Sequence, residues 1–142
     1  MIYNYTSSLG LMAYDWDGQS CRRLWLDSHP GARPSADDPV GCWLDAYCDG
    51  RRLALPPLAK PHTAFQARLR KALLAIPWGE TCTYGELARQ LGTAPRAFGQ
   101  ALGANPLPLL IPCHRVVAAN GIGGFSCGIE WKKALLEFER SF

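Results

Sequence analysis

The chain, 142 residues long, is short of several things at once. It has no C-x-x-C pair among its six cysteines, only three histidines, no lysine before Lys60 and no aspartate after Asp49. No apolar run comes near the roughly 18 residues a membrane-spanning helix needs. The opening MIYNYTSSLG lacks the basic region and apolar core of a secretory signal. A cytoplasmic protein, or one associated with a bacterial nucleoid, is therefore expected, and in that reducing setting the even count of cysteines does not argue for disulfides. The set Cys21, His29 and His62 lacks the ligand spacing of zinc modules, so no metal site is predicted. Hydrophobic residues make up 48 % and charged residues 19 %, too apolar a mixture for disorder. The length suits one domain or two small ones.

What is present divides into two parts. Residues 1–59 carry five Arg and seven Asp, a net charge of −2, and residues 60–142 carry ten Lys or Arg and five Glu, a net of +5. A basic C-terminal part is the footprint of a polyanion binder. The first part reads as β: LMAYDWDGQSCRRLWL alternates on both sides of Asp17-Gly18, a hairpin dipeptide, and IYNYT supplies a third strand. A short helix is expected near DDPVGCWLDAYC. LPPLAKP, residues 55–61, reads as a stiff linker and marks the boundary between domains 1–58 and 59–142.

The second part reads as helical. Thr63 and Gln66 form a capping-box signature, and Phe65, Leu69, Ala72, Leu73 and Ile76 then follow helical spacing. Thr83 and Glu86 form a second box, opening a helix that runs through Leu91 and stops at Gly92. TAPRAFGQALGAN reads as the next helix, with Thr93 as its cap, Pro95 in its first turn and Ala94, Phe98, Ala101 and Leu102 as its apolar stripe. Two short helices around a glycine turn suggest a helix-turn-helix. The outer face of the second helix shows Arg96 among Gly99, Gln100 and Gly103. That is too bare for hydrogen-bonded readout in a major groove. It fits either close helix packing or a backbone brought close to a minor groove. PLLIP reads as a buried extended segment, NGIGGFSCG as a loop, and Trp131, Ala134, Leu135 and Phe138 as the inner face of a last helix flanked by Glu139.

The candidate chemistry lies in NPLPLLIPCHRVV, residues 105–117. A cysteine attacks as its thiolate, so a base must take its proton or its pKa must fall. His114 and Arg115 offer a base and a positive charge beside Cys113, although neighbours on an extended strand point to opposite sides, and a bridging water is then needed. Glu139 is the candidate carboxylate to orient the imidazole. On the residues alone, a buried structural cysteine and a nucleophile both stay open.

PCHRV after NPLPLLI resembles the active-site signature of the alkylguanine DNA alkyltransferases, the methylated-DNA–protein-cysteine methyltransferases. AFQARLRKALLAIPWGETCTYGELARQLG, PRAFGQALGANP and GGFSCGIEWKKALLEFE follow that family's pattern in order, over residues 60–140. The resemblance implies an α+β fold: a small N-terminal antiparallel β domain, then a mostly helical domain containing a winged-helix-like helix-turn-helix. It implies single-use transfer of an alkyl group from the O-6 of guanine in DNA to Cys113, after base flipping, with no cofactor. His114 would draw the thiol proton through a water, Glu139 would orient His114, Asn105 would act as a hinge brace and Tyr84 would be the proton donor. Thr83, Tyr84, Arg96, Ala97, Gly99 and Gln100 would contact DNA in the minor groove, with Arg96 filling the space of the flipped base. Val116, Phe125, Ser126 and Cys127 would shape the guanine pocket. Cys127 stands where glycine is expected and Phe125 where some members have tyrosine. The partner would be double-stranded DNA carrying alkylated guanine, bound by a monomer. The competing readings are an alkyltransferase-like lesion binder without transfer, which typically lacks the acceptor cysteine, a helix-turn-helix regulator, which needs no Cys-His-Glu set, and a thiol hydrolase, which would turn over.

Overall fold

In the computed structural model, which describes residues 1–34 and 37–142, side chains set the first turns. Ser7 Oγ accepts hydrogen bonds from the N–H groups of Leu9 and Gly10, and Asp17 Oδ1 accepts from Gln19 and Ser20, both at 2.8 Å. Such local bonds hold the chain in reversals between β1 (Ile2–Thr6), β2 (Leu11–Trp16) and β3 (Cys21–Trp25). The expected hairpin is present, closed by residues 17–20 with Gly18 at φ +93°. The sheet order is β3-β2-β1-β4, where β4 is Arg33–Pro34. The three longer strands are antiparallel, but β4 runs parallel to β1, so the sheet is mixed rather than antiparallel. Pro34 has no N–H to donate to a further strand, which suits the edge position of β4.

The expected helix is α1 (Pro39–Cys48). Asp38 caps it by accepting the Gly41 N–H at 2.8 Å, and its other oxygen accepts the Tyr14 hydroxyl, pinning the helix start to the sheet. Met12, Tyr14, Leu24, Val40, Leu44 and Tyr47 form the core beneath it. Part of the expected linker is paired: Cys21 N–H donates to Pro57 O and Ala59 N–H to Cys21 O, each at 2.8 Å. This compact unit is Met1–Ala59, and a second is Lys60–Phe142.

In the second unit, Thr63 caps α2 (Ala64–Leu74) through the Gln66 N–H, while the Gln66 amide donates to Ala101 O at 3.2 Å. Leu69, Ala72, Leu73 and Ile76 are buried, as the spacing predicts. Thr83 caps α3 (Tyr84–Leu91) and donates its hydroxyl to Glu86 Oε1 at 3.0 Å. Gly92, left-handed at φ +64°, ends the helix. Thr93 does not cap α4 (Pro95–Gly103). Its N–H donates to Ala88 O and so completes the Schellman end of α3, and Ala94 takes the cap position without a side-chain bond. Of the expected stripe on α4, Phe98 is buried, Ala101 and Leu102 are half-buried, and Ala94 is exposed. β5 (Cys82–Thr83) and β6 (Val116–Val117) pair in parallel, which brings the start of α3 beside the segment that follows Cys113. α5 (Ile129–Arg140) buries Lys132, Leu135, Leu136 and Glu139, a face rotated from the expected Trp131–Phe138 stripe. Among the described residues no helix is long and apolar enough to cross a membrane.

Candidate active site

PLLIP is a turn, not an extended segment. The Ile111 N–H donates back to Leu107 O at 2.9 Å, and buried Leu109 has a φ of +76°. Asn105 staples the turn: its Oδ1 accepts the Leu107 N–H and its Nδ2 donates to Ile111 O, both at 3.0 Å. The chain leaves through a single 3-10 turn, Cys113–Arg115. A 3-10 turn does not alternate side chains as a strand does, so neighbouring side chains are free to face different partners.

Burial pushes the Cys113 thiol up to about 11, and the Asn105 side chain opposes this while nearby Cys127 adds to it. Cys113 therefore rests as a thiol. His114 is 0 % exposed and Glu139 1 %. His114 Nε2 lies 2.8 Å from Glu139 Oε2. Burial works to raise the Glu139 carboxyl, but hydrogen bonds and charge from His114 and Arg115 overcome it and hold the group at about 2. An ionised carboxylate only accepts, so Nε2 carries the hydrogen and Nδ1 keeps its lone pair. Nδ1 has no hydrogen-bond partner among the described residues. Burial lowers the His114 pKa, with Arg115 and Lys132 acting the same way against Glu139. The imidazole is thus a neutral base.

Both shifts make stability depend on acid in one direction. Protons bind the unfolded state more readily than the folded one, at His114 below its ordinary pKa and at Glu139 between about 4.5 and 2. The unfolding free energy should accordingly fall on acidification below about pH 6.5, and fall again above about pH 9, where the unfolded chain loses the Cys113 proton that burial retains in the folded state. Glu139 alone should account for about 3 kcal/mol by pH 2. Urea titrations over that range, followed by tryptophan fluorescence, check this.

Lys132 is 0 % exposed. Its Nζ donates to Val116 O at 2.6 Å, Gly124 O at 3.0 Å and Tyr84 OH at 3.2 Å. The Tyr84 hydroxyl in turn donates to Gly124 O at 3.0 Å. Gly123 permits this contact: its φ is +77°, and a Cβ there would lie 2.8 Å from the Tyr84 ring. Tyr84, Gly99, Leu102, Gly103, Cys113, Gly124, Phe125 and Ser126 enclose a cavity of about 240 Å³. It is small, and Cys113 is part of its wall.

Residues 64–141 match the family described as 6-O-methylguanine DNA methyltransferase, DNA binding domain. The chain belongs to this methyltransferase family. The methylated-DNA–protein-cysteine methyltransferase of Saccharolobus islandicus is 48 % identical over 97 residues, which is 68 % of this chain and spans 64 % of that relative's length. The structure of Mycobacterium tuberculosis OGT in complex with DNA superposes with a TM-score of 0.84 at 36 % identity, covering 99 % of this chain and 93 % of that one. The O6-methylguanine DNA methyltransferase of Methanococcus jannaschii gives a TM-score of 0.69 at 30 % identity, covering 99 % and 93 %.

Of the residues matched to the methyltransferase pattern, Cys113, Tyr84, Gly99, Phe125 and Ser126 meet at the cavity, with Asn105 against the thiol. His114 and Glu139 stand paired in the interior. Arg96, Ala97 and Gln100 are exposed on α4, and Thr83 is half-buried at the cap of α3. Val116 is fully buried and offers its carbonyl to Lys132. Val116 and Cys127 do not line the cavity among the described residues. Cys21 is buried with its thiol on Arg23 O, and His29 lies against Trp25. Sequence reasoning missed Lys132, Leu102, Gly103 and Gly124. The signal for Lys132 was its place three, four and seven residues before Leu135, Leu136 and Glu139, all on one helix face.

Proposed function

We propose that this chain carries out direct-reversal DNA repair, moving an alkyl group from the O-6 of guanine in double-stranded DNA to Cys113, once per molecule. The observation that carries the reading is a buried thiol at a small cavity beside a neutral histidine whose partner fixes its acceptor nitrogen. A thiol that rests protonated needs a base at the moment of reaction. His114 Nδ1 takes the proton through one bridging water, and Glu139 balances the imidazolium that results. Sulfur then attacks the alkyl carbon in line. The S–C bond forms, the C–O bond breaks, and the electron pair stays with the guanine oxygen. Tyr84, with its hydroxyl held between Lys132 and Gly124 O, supplies a proton to the leaving guanine. The thioether is not hydrolysed, so the chain is consumed.

The base must leave the stack for this, at a cost of a few kcal/mol. In this reading α3 and α4 are a helix-turn-helix whose bare outer face approaches the minor groove. Thr83, Tyr84, Ala97, Gly99 and Gln100 lie along the DNA, and Arg96 takes the space of the extruded base. Val116, Phe125, Ser126 and Cys127 shape the base site. Residues 59–142 are the DNA-binding and acceptor domain, 1–58 a separate β-rich domain. The relatives' names and the +5 charge of residues 60–142 support a nucleic-acid partner. The chain works without a cofactor, as a monomer, in the cytoplasm.

The test is to incubate the protein with an oligonucleotide containing O-6-methylguanine, digest it and weigh the peptides. One added methyl on the peptide containing Cys113, with no second turnover, is expected. Tight lesion binding with an unmodified peptide would instead mark a lesion binder.

A further inference from the structure

Arg115 is the member of the Cys-His-Arg run that the reaction leaves without a task. Its Nε donates to Glu139 Oε1 at 2.8 Å and its Nη2 to Glu139 Oε2 at 3.0 Å. Its Nη1 donates to Ile76 O, just beyond α2, at 2.8 Å. The Oε2 it holds is the same atom that accepts from His114. We propose that Arg115 is a positioning residue for alkyl transfer: its fork locks the Glu139 carboxylate against His114 and offsets that carboxylate's charge at the imidazole.

The reasoning is electrostatic and geometric, and it rests on the alkyl-transfer reading. A carboxylate bonded to an imidazole favours the imidazolium, and an imidazolium has no lone pair for a thiol proton. The charged groups acting on His114 are Glu139 and Lys132 from α5 and Arg115 from its own segment. Among them Glu139 alone draws a proton onto the ring, while Arg115 and Lys132 oppose it. Two parallel N–H···O bonds also stop the carboxylate from rotating, and the bond to Ile76 O ties the fork to a third segment. A lysine has the charge but not the fork.

Two variants, Arg115→Met and Arg115→Lys, separate charge from fork. His114 is titrated by NMR in the free protein, with His29→Gln and His62→Gln used to assign the signals. Single-turnover methyl transfer is measured against pH alongside binding to the lesion oligonucleotide. In Arg115→Met, His114 should titrate about one pH unit or more higher than in the wild type. The acid side of the rate profile should move up with it, and binding should stay unchanged. In Arg115→Lys the titration should stay in place while the plateau rate falls about tenfold. An unshifted His114 in a folded Arg115→Met, or a wild-type plateau in Arg115→Lys, would overturn the proposal. If Arg115→Met does not fold, the plateau of Arg115→Lys decides. Because the titration is read without DNA, a wild type that takes no methyl defeats the alkyl-transfer reading instead.

Discussion

A Cys113→Ser variant should bind the lesion oligonucleotide as the wild type does and take up no methyl group. Serine fits the space of a thiol that is 4 % exposed, so the cavity and the α4 face stay as they are. Its hydroxyl is far harder to deprotonate than even a thiol raised to about 11, and a neutral imidazole drives that step poorly. The transfer rate should fall by at least about a thousandfold, read by intact mass after a single turnover, with fluorescence anisotropy reporting binding. Methyl found on Cys82 or Cys127 in this variant would reassign the acceptor.

Glu139→Gln should cost both stability and rate. The carboxylate accepts from His114 once and from Arg115 twice, inside a site where it is 1 % exposed. An amide of the same shape has one acceptor oxygen, and its NH₂ meets either the His114 N–H or the guanidinium. Removing one partner of a buried pair leaves the other charge uncompensated, a loss of about 3 kcal/mol or more. With the tautomer of His114 no longer fixed, transfer should slow about a hundredfold or more. Urea denaturation and single-turnover kinetics read the two effects. A stability change under about 1 kcal/mol would mean the pair behaves like an exposed one.

The parts of this protein that were legible in its sequence are those fixed by near neighbours. Thr63 and Thr83 announce their helices because a cap lies three residues from its donor. Asp17 and Gly18 announce a reversal for the same reason. Thr93 misled because the left-handed Gly92 claims its N–H for the preceding helix. The turn at Leu109 was hidden because an apolar run between prolines gives no sign of a left-handed residue held by Asn105. Within the candidate site, Cys113, His114 and Glu139 were legible as chemistry and through family resemblance. Lys132 was not, since its acceptors come from β6, a glycine loop and α3. A lysine written between Trp131 and Lys133 reads as a surface residue until those acceptors are known.

α5 has a consequence for the order in which the protein is made. It supplies both Glu139 and Lys132 to the centre, yet it is synthesised after the acceptor turn, Tyr84 and the cavity loop. A growing chain that has already produced Cys113 has neither the carboxylate that orients its base nor the ammonium that fastens the cavity wall. On the alkyl-transfer reading, the oriented base is therefore complete only once α5 has docked. On the single-use transfer proposed above, a half-made copy would then carry no competent acceptor.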